Sequence, residues 1–324
     1  MKEKIKAALI YKSSNAYLSG KHFDNTSYNF FMKALNRNQR IDLTYFSKEK
    51  RFDASILKNK FDIILLFGNN DIMLPEIIGL ESLDIPVMAR SGDPGEAKYS
   101  IKFHKRLKID HYFHFFSEEF FHELYPKNFK YTTIFFGLEP SLYNIVTPFN
   151  KRIKNKILNS GNVGNTKFHS RIINDIRNPH WNTLRCKYLR TKCNELPYVD
   201  YTTTLQCKYV NDKFPLLLSK YASAIAADSY TPVSKYWEIP AAGCLTFMEI
   251  TDKNRGEYIG FKDQENAVFI NEKNYKNKFE EFLNEPDNPR WEKIANAGKK
   301  YALENLNNDK AVESLVNLME KLLK

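Results

Sequence analysis

Four cysteines stand in 324 residues, at positions 186, 193, 207 and 244, and no two have the CxxC spacing of a zinc or redox pair. They read as reduced thiols of a cytoplasmic protein. The 12 glycines nowhere form GxGxxG or GxxxxGK[ST], which excludes a dinucleotide fingerprint and a P-loop. There is no DxD carboxylate pair to hold a metal. The N-terminal MKEKIKAALIYKSSN has too short an apolar run for a secretory leader. The longest continuous aliphatic and aromatic stretch, Ile63 to Phe67, falls far below the ~20 residues of a spanning helix. No block of five or six like charges occurs, although 49 basic residues outnumber 38 acidic ones by 11. That excess fits either a polyanionic or phosphorylated partner or an ordinary solvated basic surface.

What is abundant is core-forming material, with 43% hydrophobic and 14% aromatic residues. The length suits about two domains. Short apolar runs alternate with helical patterns: strands at Ile5–Tyr11, Ile41–Phe46, Phe61–Phe67, Ile85–Arg90, His111–Phe116 and Thr132–Phe136, and helices at Ser27–Leu35 and Ser117–Leu124. Continuous apolar strands bounded by turn residues belong to a parallel sheet covered on both faces. A second series begins near Ile157, with helices near Phe168–Ile176, Phe214–Tyr221 and Val233–Ala242 and strands at Ala222–Ala226 and Cys244–Glu249. Helices at Tyr275–Leu283, Trp291–Glu304 and Ala311–Leu323 end the chain. The expected fold is α/β: two Rossmann-like doubly wound domains, 1–150 and 151–310, facing a central cleft where ligands bind. Pro148–Lys156 reads as the linker between them. The helix at 311–324 is expected to pack back on the first domain.

The most informative stretch is Lys235–Leu245, KYWEIPAAGCL. A carboxylate such as Glu238 can accept hydrogen bonds from two vicinal hydroxyls, as a ribose presents, and Gly243 ends the helix or admits close backbone approach. An exposed helical Glu ahead of a terminating Gly is the plainer alternative. Lys235 is on the same helical face as Glu238 and suits a phosphate, with amide donors expected from a helix start near Pro232. Gly161-Asn162-Val163-Gly164 follows the first strand of the second domain, as a turn or as a backbone cradle for a diphosphate. Arg171 and His169 are just downstream.

KYWEIPAAGCLTFMEI, continued by Asn266 and WEKIANAGKKYALEN, resembles the C-terminal domain of the spore-maturation (CgeB-like) glycosyltransferases, which are similar to the large retaining GT4-like group of GT-B enzymes. The resemblance covers roughly residues 199 to 305. It implies the GT-B fold, transfer of a hexosyl or related group from a nucleotide-sugar donor to a glycan or other polyhydroxy acceptor, and no cofactor or obligatory metal. Glu238 falls on the glutamate that binds the donor ribose. The second glutamate of the larger group, eight residues earlier, is Tyr230 here, so the pair is broken. Related enzymes carry Asp-Pro or Asp-His in a loop like Ser91-Gly92-Asp93-Pro94-Gly95, so Asp93 is the candidate acid/base toward the acceptor hydroxyl, with ordinary turn chemistry as the alternative. Asn69, Asn70 and Ser13, in other strand-end loops, are candidate acceptor contacts.

His111 and His114 lie three apart in a strand, on opposite faces, and do not form a metal pair. The cluster Lys102–Lys108 reads as a solvated helix face, or as a contact with the inner face of an anionic membrane. Aromatics from Tyr112 to Phe121 read as core, and nucleic acid is not an expected partner. Two rival readings are a sugar-nucleotide epimerase on the same fold, which would turn over donor without acceptor, and a non-catalytic polyanion binder with steep salt dependence.

Overall fold

The computed structural model describes residues 3–12, 14, 27–144, 147–164, 169, 172–173, 176, 183–202 and 211–324. The chain divides into two compact units, Met1–Gly137 with Asn307–Lys324, and Leu138–Leu306.

The first unit contains β1 (Ile5–Lys12), α1 (Ser27–Arg37), β2 (Ile41–Lys48), β3 (Arg51–Asp53), β4 (Ile63–Leu66), β5 (Glu76–Ile78), β6 (Val87–Arg90), α2 (Ala97–Ser100), β7 (His111–His114), α3 (Glu118–Leu124) and β8 (Tyr131–Thr133). Its main sheet is parallel, in the order β2-β1-β4-β6-β7-β8. Every residue of β4, β6 and β7 is buried, as parallel strands covered on both faces require. Sidedness comes from α1, whose Phe31 and Leu35 pack on Leu9, Leu65 and Phe67. Ser117 caps α3, its Oγ accepting from Phe120 N–H at 3.2 Å. β3 and β5 pair as a separate two-stranded sheet; at three residues each they are too short to show a period.

The second unit begins at Leu138 and contains β9 (Ile157–Ser160), α4 (Thr183–Cys186), α5 (Tyr188–Cys193), β10 (Val199–Thr202), α6 (Phe214–Leu218), β11 (Ser223–Ala226), α7 (Lys235–Ala241), β12 (Leu245–Glu249), β13 (Val268–Ile270), α8 (Tyr275–Asn284) and α9 (Pro289–Asn305). The sheet is again parallel, ordered β10-β9-β11-β12-β13. Its core joins Ile225, Leu245 and Phe247 to Phe279, Phe282 and Trp291 of the C-terminal helices. The stretch Pro148–Lys156 belongs to this unit, where Arg152 is buried and Ile153 bridges to Tyr221. The segment is mostly exposed, as its basic, polar composition suggests, and is anchored by Phe149 and by the Arg152 guanidinium, which donates to several carbonyls at once. The helix expected near Phe168–Ile176 lies largely outside the described residues.

The final helix, α10 (Asn308–Leu322), belongs to the first unit. Val312, Leu315, Val316 and Met319 enter the same core as α1. Asn308 Oδ1 accepts the Gly137 N–H at 2.7 Å, and Arg37 pairs with Asp309 at 2.7 Å.

In each sheet the winding direction reverses once, between β1 and β4 in the first unit and between β9 and β11 in the second. The loops leaving such neighbouring strands diverge to opposite faces and open a crevice at the carboxyl edge, where α/β sheets bind ligands.

Candidate active site

At the β9/β11 reversal, β9 ends in Ser160-Gly161 and β11 runs on to Asp228 and Ser229. Lys235, the first residue of α7, reaches across the gap. Its Nζ donates to the Ser160 carbonyl and abuts Gly161. Gly161 has φ +88°, and a Cβ there would meet the ammonium group. The glycine is therefore required twice, for its left-handed backbone and for the room it leaves.

Burial pushes the Lys235 amine well below its ordinary value, and the charges of Arg190 and Lys187 push it further down. Lys187 is lowered by burial and by Arg190. Arg190 on α5 is 4% exposed, with its Nε unpartnered. Asp228 and Glu238 act in the opposite sense on Lys235. Burial raises both carboxyls, against the pull of Arg190 on Asp228 and of the Ser234 hydrogen bond on Glu238. Three basic side chains thus crowd two carboxyls, and burial opposes ionisation of all five. This crevice has a surplus of positive charge and is matched to an anion.

Glu238 is half-buried, one turn from Lys235 on α7, with Oε2 accepting from Ser234 Oγ at 2.8 Å. Its charge raises the pKa of buried Tyr143, after burial itself. Past the first residue of this helix the amides are already in use. Tyr236 N–H donates to Val233 O, and Trp237 and Glu238 N–H donate to Ser234 O. The amides of Gly161 and Gly164 are also spent, on Thr202 O at 3.2 Å and Thr191 Oγ1 at 2.8 Å. Lys235, Arg190 and Lys187 bring side-chain positive charge to the same place. Asn162 is exposed in the same loop.

Gly243 is at the far end of α7 with φ +75°, and its N–H donates to Pro240 O at 2.7 Å. Arg152 donates to the carbonyls of Ala242 and Gly243, both at 2.9 Å. Gly243 thus ends the helix and lies apart from the Lys235 contact. Arg171 and Ser13 lie outside the described residues; His169 is exposed.

Arg190 and Lys187 carry no signal in the sequence, and Asp228 lies near the position of the missing second glutamate but out of register with it. Sequence spacing relates Arg190 to nothing in α7; only the β9–β11 neighbourhood brings them together. Below them, Glu249 is 2% exposed with Oε1 accepting from Ser229 Oγ at 3.0 Å and Oε2 unpartnered. Burial lifts its carboxyl to about 7.

In the first unit, Asp93 is exposed at the cap of the turn Pro94–Glu96, its carbonyl accepting from Glu96 N–H at 2.8 Å. Asn70 is consumed by the loop. Its amide donates to Glu96 Oε2 and Ser100 Oγ, and its carbonyl accepts from Ile72 and Met73 N–H. Asn69 donates to Tyr125 OH at 3.0 Å and keeps a buried, unpartnered Oδ1. His111 contacts Thr132 and His114 contacts Arg90. Among the described residues, no group of three or more His, Cys, Asp or Glu is placed to hold a metal, and no helix is long and apolar enough to cross a membrane. Cys186, Cys193 and Cys244 are buried free thiols. Lys102, Lys105 and Arg106 are exposed.

No protein-family profile matches the chain, and no curated protein matches it in sequence. Solved structures do match. A glycosyltransferase from Rickettsia africae is similar over 99% of both chains, with TM-score 0.60 at 11% identity. The sucrose-phosphate synthase of Thermosynechococcus elongatus gives TM-score 0.60 at 11% identity over 98% of this chain and 99% of its own. Anabaena Alr3699/HepE, solved with UDP-glucose, gives 0.59 at 9% identity over 98% and 100%. Two parallel Rossmann-like sheets in this order, matched along the whole chain, give the protein the GT-B fold of these glycosyltransferases.

Proposed function

We propose that the protein is a glycosyltransferase, and that the crevice at the β9/β11 reversal takes the diphosphate of a nucleotide-sugar donor. The observation that carries this reading is the gathering of buried Arg190 with half-buried Lys235 and Lys187 beside Glu238, three basic groups to two carboxyls. A buried cluster of cations is costly on its own and is relieved by a polyanion. Glu238 is assigned to the ribose hydroxyls, with Ser234 fixing one carboxyl oxygen and leaving the other to accept. The resemblance of the KYWEIPAAGCL stretch to the CgeB-like glycosyltransferases supports assigning the chain to that branch of the fold.

In the reaction, an acceptor hydroxyl oxygen forms a bond to the anomeric carbon, and the bond from that carbon to the diphosphate oxygen breaks. Asp93 takes the hydroxyl proton, and the nucleoside diphosphate leaves with the electron pair. Its developing charge is stabilised by Lys235, Arg190 and Lys187, groups held in place before the reaction begins. On this reading the enzyme has no obligatory metal, the acceptor is a glycan or similar polyhydroxy compound, and the protein works in the cytoplasm.

The test is a thermal-shift and calorimetric panel of UDP, GDP, dTDP and CMP with their sugars. One of them should raise the melting temperature, and Glu238→Ala should weaken that ligand by roughly 1.5–3 kcal/mol while sparing the apo fold. A panel in which nothing binds, or a ligand indifferent to Glu238→Ala, overturns the assignment.

A further inference from the structure

The first unit contains a buried cation of its own at the end of a strand. Arg90, the last residue of β6, is 1% exposed. Among the described residues no carboxylate pairs with it. Its Nη1 donates to Ser91 O at 3.0 Å and to His114 Nε2 at 3.2 Å, and its Nη2 meets the sulfur of Met73 at 3.0 Å. The guanidinium lies over the Tyr28 ring at 4.6 Å and the Phe67 ring at 5.7 Å. All these partners are neutral, and the thioether is a weak acceptor.

The hydrogen-bond inventory around Arg90 is one-sided. A guanidinium only donates, so His114 Nε2 must accept and the ring proton must sit on Nδ1. Burial and the Arg90 charge keep that imidazole neutral by lowering its pKa far below the usual range. His114 Nδ1, Arg90 Nε and Ser91 Oγ are all buried and without a partner. The Arg90 Nε and His114 Nδ1 donors, the Ser91 hydroxyl and one full positive charge are the complement of an anion rather than of a neutral hydroxyl. Arg90 and His114 end adjacent strands, and the Asn69 loop follows β4, so the cluster occupies the ligand-binding edge of this sheet.

We propose that this cluster binds the anionic group, carboxylate or phosphate, of an acidic acceptor, which displaces the Met73 sulfur from Arg90 Nη2. Met73 is half-buried and has an unbranched, rotatable side chain suited to such a displacement. The loop that carries it also borders an open groove of about 470 Å³, lined by Lys12, Lys50, Asp71, Leu74, Glu76 and Arg106, with room for the uncharged remainder of a sugar. The acceptor role rests on the glycosyltransferase reading; the anion site does not.

The experiment titrates the full chain with orthophosphate and, separately, with glucuronate, by calorimetry and thermal shift, in wild type, Arg90→Met, Ser91→Ala and Met73→Ala. At least one probe should bind wild type. Arg90→Met should weaken it about tenfold or more, Ser91→Ala should weaken it less, and Met73→Ala should leave it equal or tighter. The probe that binds decides between phosphate and carboxylate. Nucleotide affinity should be unchanged in all three variants. Binding of neither probe, or binding untouched by Arg90→Met and Ser91→Ala, overturns the site. Probe binding lost in Lys235→Met but kept in Arg90→Met assigns the anion to the second unit and overturns it as well. Should Arg90→Met fail to fold, the Ser91→Ala and Met73→Ala pair decides. A chain that binds no nucleotide but still takes the probe through Arg90 retains this inference and loses the donor assignment.

Discussion

Replacing Lys235 with methionine should move stability and ligand affinity in opposite directions. In the free protein the half-buried ammonium group lies beside Arg190 and Lys187 and is held by one hydrogen bond to Ser160 O. That hydrogen bond contributes about 1 kcal/mol. Desolvating the charge costs several kcal/mol, and neighbouring like charges add to the cost. Methionine keeps the length of the chain and removes the charge, so apo stability should hold or rise by about 1–2 kcal/mol. The diphosphate loses a charge-assisted donor worth roughly 1.5–3 kcal/mol, a factor of roughly 10–150 in Kd.

The pH dependence follows from the same shift. The Lys235 amine is depressed in the folded state, so between its folded value and 10.5 the unfolded chain binds more protons. Stability therefore rises with pH across that window, and Lys235→Met should flatten the rise. Denaturant melts across that range, with nucleotide titrations by calorimetry, measure both quantities. A variant that loses apo stability while binding nucleotide as wild type does would refute the reasoning and make Lys235 a structural strap.

Glu249 gives the opposite sign. Its carboxyl is raised from 4.5 to about 7, so between those values the folded state holds the extra proton and stability falls as pH rises. The full effect is on the order of 3 kcal/mol; Glu249→Gln, which mimics the protonated form, should flatten urea midpoints measured between about pH 5 and 8. Arg152→Met leaves the carbonyls of Thr147, Ala242 and Gly243 without their donor and should cost about 3 kcal/mol in chemical denaturation; a loss under about 1 kcal/mol would mean water replaces the guanidinium.

The central strands were legible because burial on both faces leaves little freedom of composition. Ile63–Leu66, Val87–Arg90 and Leu245–Glu249 are apolar runs ended by turn residues or by a polar side chain at the ligand edge. Three-residue strands at Arg51–Asp53 and Val268–Ile270 carry no period to detect. Arg152 shows the converse failure, where a charged residue read as linker is buried because five acceptors surround it.

The site divides along the same line. Lys235 and Glu238 were found together because a helix fixes their separation, and Gly161 because a glycine after a strand is visible in sequence. Arg190 joins them only through strand order: β11 must lie beside β9, with β10 on the other side, before α5 and α7 can flank one crevice. Arg90 looked like an ordinary strand end for the same reason. Its meaning depends on what does not surround it, and the lack of a carboxylate cannot be read from one strand. Buried cations therefore acquire a meaning only after topology has assembled the carboxyl edge of a sheet. Both units put such a cation there, on strand systems that wind outward from one reversal point. If the first unit's cation serves an acceptor as the second unit's cluster serves a donor, charge at the two edges would select both substrates. Arg90→Met should then reduce turnover of an acidic acceptor while leaving donor affinity intact, a separation that a purely structural Arg90 would not produce.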